Sequence, residues 1–116
     1  MTTSQTISYA RRAINCQLSS LGFNTAITEA ELNDSFESKQ WHPIQKYSII
    51  PTENLGVMRH VFTKVTCDIN AGIHENNHGV WLKIEIHYHW EHPSGSNGYR
   101  IEYVMDPRTA GWNQYS

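Results

Sequence analysis

Residues Trp81–His92, WLKIEIHYHWEH, alternate without a break. Leu82, Ile84, Ile86, Tyr88 and Trp90 are apolar or aromatic, and Lys83, Glu85, His87, His89 and Glu91 between them are polar. Strand side chains point to opposite faces with a period of two, so this segment predicts a strand with one face on a core and the other in water. A slip of one residue would turn the whole core set to solvent, which makes the segment a strong constraint on any sheet built around it. His87 and His89 project from the same wet face between two glutamates. That arrangement suits metal binding, a response to pH or contact with a partner.

At 116 residues the chain has the length of one domain. Its composition, 39% hydrophobic and 17% charged, argues against both disorder and a coiled coil. No apolar run approaches the ~20 residues needed to cross a bilayer, so no membrane association is expected. The opening residues MTTSQTISYARRAINC lack an apolar core preceded by basic residues, so no secretory signal is expected and a cytoplasmic location is. In that compartment Cys16 and Cys67 are expected to be free thiols. Nine Lys and Arg are scattered against eleven Asp and Glu, a poor electrostatic footprint for nucleic acid. Protonating all seven histidines would move the net charge from −2 to +5.

A first helix is predicted over about 4–21. Ile7, Ala10, Ile14, Leu18 and Leu21 share one face, Ser4 or Thr3 can cap it, and Gly22 suits its end. Tyr9, Ala13, Cys16 and Ser20 form a smoother second stripe, a candidate homodimer contact. A shorter helix over about 29–38 is announced by the capping-box pattern Thr28-Glu29-Ala30-Glu31, with Leu32 and Phe36 one turn apart on its core side. This helix carries Glu29, Glu31, Asp34 and Glu37 and no base, a solvated face or a docking surface for a basic partner.

Beyond Lys39 the pattern turns to strands, expected at about 44–50, 57–69, 80–92 and 99–106. Pro43 and Pro51 bracket the first, which fits a sheet edge. Asn70–Gly79 is polar and holds two glycines, as a loop would, and Pro93–Gly98 reads as a hairpin connection. Setting Trp90 opposite Tyr99, Tyr88 opposite Ile101 and Ile86 opposite Tyr103 keeps both apolar sets on one face. It also sets His87 against Glu102 and Lys83 against Asp106. The fold class expected is α+β: one long and one short N-terminal helix, then a four-stranded antiparallel meander, with the long helix on one sheet face.

The chain carries no phosphate loop, G-x-S-x-G, C-x-x-C or H-E-x-x-H motif. Cys67 falls on the core face of its strand and Cys16 on the outer side of the first helix. His87 and His89 could hold a transition metal if His60 or Glu102 supplied a third ligand, but any two histidines two apart in a strand match that spacing. No cofactor is expected. Trp81 falls on the polar face, and Trp112 lies in the tail TAGWNQYS, where folding back over the sheet edge competes with a role in binding. The functional expectation is a non-enzymatic protein that binds another macromolecule as an inhibitor or regulator. Its partner surface would comprise Trp81, His87, His89, Glu91, Arg100 and Glu102. A metal-dependent or histidine-based enzyme centred on His87 and His89, and a self-associating structural protein, are the alternatives.

Overall fold

The computed structural model describes residues 3–49, 64–77, 79–106 and 111–115. Helix α1 spans Thr3–Ser20 and buries Ile7, Ala10, Ile14 and Leu18, the stripe set by helical spacing. Its end is a Schellman turn. Phe23 N–H donates to the Leu18 carbonyl and Gly22 N–H to that of Ser19, both at 3.0 Å. Gly22 takes the left-handed conformation, φ 90°, that this turn requires. Ser4 lies inside the helix rather than capping it. Helix α2, Glu29–Ser38, begins with the expected capping box: Thr28 accepts from Glu31 N–H, and the Glu31 carboxylate accepts from Thr28 N–H. Asn15 ties the two helices together, its side-chain amide bonding both the N–H and the carbonyl of Ile27.

Among the described residues five antiparallel strands follow in chain order: β1 His42–Ile49, β2 Lys64–Asn76, β3 Gly79–His92, β4 Gly95–Met105 and β5 Trp112–Tyr115. The class is α+β as expected, with one strand more than the four anticipated, because Trp112–Tyr115 pairs with Glu102–Met105. Trp112 therefore lies folded back at the sheet edge and packs on the core. Both helices contribute to a single core with Cys67, Ile69, Ala71, Ile73, Leu82, Ile84, Ile86, Tyr88, Tyr103 and Met105 from the sheet.

Three sequence expectations are corrected. The polar stretch after Ile69 is strand, not loop: β2 runs on to Asn76, with Ala71 and Ile73 buried while Asn70, Gly72 and His74 alternate to the other face. The first half of the expected second strand, with His60, lies outside the described residues. The last hairpin turns through two residues, Pro93 and Ser94, rather than six, so β4 begins at Gly95. The shorter turn moves the register by two residues. Trp90 faces Asn97, Tyr88 faces Tyr99, Ile86 faces Ile101, and His87 faces Arg100 instead of Glu102, while Lys83 faces Val104 instead of Asp106. A shift of two preserves the pleat, which is why the buried face is the expected one.

Candidate functional site

Both helices send buried side chains to the core face of the sheet; the other face is the open one, and α2 reaches it at Gly72, where Ser35 stands. Alternation delivers to that open face Asp68, Asn70, Gly72 and His74 from β2, Trp81, Lys83, Glu85, His87, His89 and Glu91 from β3, and Arg100, Glu102 and Val104 from β4. The register sets Glu85 directly opposite Glu102, and like charges so placed repel. Lys83 resolves the conflict: its Nζ lies 2.9 Å from Glu85 Oε1 and 3.2 Å from Glu102 Oε1. Arg100 Nη2 reaches the same Glu102 oxygen at 3.2 Å, and His87 Nε2 lies 3.3 Å from Glu85 Oε2. Glu85 is only 9% exposed. Burial pushes its carboxyl pKa up, but hydrogen bonds and charge from Lys83 and His87 outweigh burial and hold it below the usual value. The centre of the open face is therefore an ionised, mutually neutralising ladder.

At one end of this ladder lies an aromatic groove of about 410 Å³, lined by Trp41, His74, Trp81, Lys83 and Val104. Trp41 reaches it from the segment before β1. The Lys83 ammonium sits 5.0 Å from the centre of the Trp41 ring, and His74 packs beside that ring at 6.1 Å. Gly72 makes the arrangement possible, since a Cβ there would meet Ser35 Oγ and come within 2.6 Å of the Trp41 ring.

At the other end, His87, His89, Gly98 and Arg100 border a second depression of about 410 Å³ together with Tyr88 and Tyr99. His89 is half-exposed, its Nε2 3.4 Å from Asp68 Oδ2, and it faces Gly98 across the strands. The candidate partner residues thus share one face but form two groups, with Trp81 in the groove and His87, His89 and Arg100 at the hairpin end. Glu102 links them through Lys83, and Glu91 lies further along β3 opposite Ser96. Among the described residues no three His, Cys, Asp or Glu side chains are gathered to hold a metal ion. His60, the third ligand considered with His87 and His89, lies outside them.

The other candidate surfaces are partly engaged within the fold. Glu31 is drawn into the capping box and also lies 2.8 Å from His42 Nε2, which ties α2 to the start of β1. Glu29 lies 3.9 Å from Arg11, and Asp34 and Glu37 are exposed. On α1, Tyr9 donates its hydroxyl to Met105 Sδ and Ala13 packs against the core, leaving Cys16 and Ser20 in solvent. Cys67 is fully buried and its thiol is pushed up to about 12, chiefly by burial.

Sequence reasoning missed Trp41, Lys83 and Val104 as groove residues and placed His74 in a loop. The one available signal was the alternation of Gly72 and His74 with Ala71 and Ile73. No helix among the described residues is long and apolar enough to cross a membrane. Comparison with protein-family models, curated proteins and solved structures yields no match to this chain.

Proposed function

We propose that this is a non-catalytic binding protein that docks a protein partner on its open sheet face, with the Trp41–Trp81 groove as anchor. The observation that carries the reading is the pairing of an uncovered aromatic groove with a charge ladder satisfied within itself. Aromatic pockets flanked by fixed polar groups are where binding energy concentrates at protein interfaces. Because Glu85 is held ionised and both carboxylates are shared among Lys83, Arg100 and His87, they serve recognition better than proton transfer. The face is also too open to exclude water from a reaction. The reading fits inhibition or regulation of the partner in the cytoplasm, and it makes Trp41 and Lys83 part of the surface beside Trp81, His87 and Arg100.

The test is affinity capture from the source cells with wild type, Trp41→Ala, Trp81→Ala and Arg100→Ala side by side, followed by measured affinities for the captured protein. Trp81→Ala and Arg100→Ala should keep their melting temperature, Trp41→Ala should lower it because that ring packs against Gly72, His74 and Lys83, and the two tryptophan changes should each weaken binding by about 1–4 kcal/mol. Equal binding by all four proteins would remove the open face from consideration. A histidine-based enzyme would instead centre on His89 and its Asp68 partner, and would lose turnover in His89→Gln while keeping its ligand.

A further inference from the structure

Four residues that line the aromatic groove stand on strands: His74 on β2, Trp81 and Lys83 on β3 and Val104 on β4. Trp41 does not. It sits in the short segment between α2 and β1, and both of its neighbours in sequence are bonded to α2. On one side Ser35 Oγ donates to the Gln40 carbonyl at 2.7 Å, and on the other His42 Nε2 lies 2.8 Å from Glu31 Oε2. Glu31 and Ser35 are four residues apart and so share one face of the helix. Neither lines the groove. Each is itself held from a second direction. Ser35 accepts from Ile73 N–H at 3.3 Å, and the other Glu31 oxygen accepts from the Thr28 N–H and hydroxyl at 3.0 and 2.9 Å. Burial pushes the Glu31 carboxyl up, but the bonds from Thr28 and the charge and bond from His42 bring it below its ordinary value. At neutral pH it is therefore an ionised acceptor on both oxygens.

We infer that Glu31 and Ser35 are positioning residues for the groove: through His42 and Gln40 they hold the Trp41 indole against Gly72 and Lys83, so the shape of the groove is set from α2. Bonding Gln40 and His42 to one helix face fixes the backbone on either side of Trp41 and leaves it little freedom beyond its own rotamer. Contact then selects that rotamer. The ring lies over Gly72, which offers no side chain, with the Lys83 ammonium 5.0 Å from the ring centre and the His74 ring 6.1 Å away. Glu31, which from sequence belongs to an acidic surface for a basic partner, thus acts on the groove without lining it. Positioning is a property of the protein alone; its effect on affinity rests on the reading of the groove as a partner's anchor.

The Lys83 ε-methylene protons report the position of the ring in solution NMR, because a group over an indole face is shifted upfield by the ring current. Trp41→Ala defines the shift that the ring causes. His42→Ala leaves the capping box whole and should abolish most of that shift, and Ser35→Ala should reduce it in the same direction. His42→Gln keeps an N–H for Glu31 and should retain it. Ile14→Val weakens the packing of a fully buried side chain with both tethers intact, so it controls for lost stability and should leave the shift in place. Against a partner captured by the wild-type protein, His42→Ala should weaken binding by about 2- to 30-fold, and His42→Gln by less, although His42 lines no part of the groove. A Lys83 signal unmoved by His42→Ala or by Ser35→Ala, or moved as far by Ile14→Val, would overturn the inference. Partner affinity indifferent to Trp41→Ala would remove the anchor reading instead, and the Lys83 shift would still decide whether α2 positions the ring.

Discussion

Gly72→Ala should destabilise the protein by about 2–5 kcal/mol although it adds a single methyl group. The new Cβ would fall on Ser35 Oγ and 2.6 Å from Trp41 Cε3, well inside van der Waals contact. Ser35 cannot retreat freely. It is buried, its hydroxyl donates to the Gln40 carbonyl at 2.7 Å, and it accepts from Ile73 N–H at 3.3 Å. Moving it would break one or both bonds at about 0.5–1.5 kcal/mol each, and overpacking the site adds about 1–3 kcal/mol. Urea denaturation at 25 °C measures the loss, with an unchanged slope showing that the denatured state is unaltered. Ser35→Ala removes the colliding oxygen, so Gly72→Ala should cost at least about 1 kcal/mol less in that background. Part of the cost should remain from the tryptophan ring. Additive effects, or a Gly72→Ala variant as stable as wild type, would refute the close approach of α2, Trp41 and β2.

Lys83→Met strands Glu85 against Glu102 and should cost about 2–3 kcal/mol at neutral pH by denaturant titration, a deficit that shrinks as acid protonates Glu85. Glu85 and Glu31 both have carboxyl pKa values held below the ordinary range despite the opposing effect of burial. Their stabilisation should be complete above the unfolded carboxylate value near pH ~4.3 and be lost as pH falls below it, visible as a falling urea midpoint. Thr28→Ala removes the acceptor for Glu31 N–H and should cost about 0.5–2 kcal/mol of stability by the same assay. With a thiol reagent at pH 8, Cys16 should react at once and Cys67 only on unfolding, as its exposure and raised thiol value require.

Period carried most of the fold from sequence. Ile7, Ala10, Ile14 and Leu18 mark α1 because helical spacing is local, and the capping box at Thr28 is a contact between residues three apart. The alternation from Trp81 to His92 sorts side chains to the correct faces. It does not fix which residue of β4 lies opposite which of β3, because that depends on turn length. Pro93-Ser94-Gly95-Ser96-Asn97-Gly98 has the composition of a long turn, yet its second half extends a strand, where Gly98 leaves no side chain to strike the Tyr88 carbonyl. The end of β2 was hidden for a related reason: Asn70, Gly72 and His74 face the open side, so polarity looked like a loop. His87, His89, Arg100 and Glu102 were correctly grouped on one face. The groove was not legible, because Trp41 joins Trp81 only through the packing of α2 and the start of β1 against the end of β2.

The spatial order of the described strands repeats their order along the chain, with no crossover. That has a mechanical meaning. Tension applied at the end of β5 would load the β4–β5 ladder as a zipper, one pair at a time, and would meet only four pairs before β4 took the strain. The long β2–β3 and β3–β4 ladders would open in the same sequential way once reached, since no strand is threaded between two others to lock them in shear. Pulled from that end, the molecule should yield at low force and in steps, while the helices, packed across the opposite face, should be the last to let go.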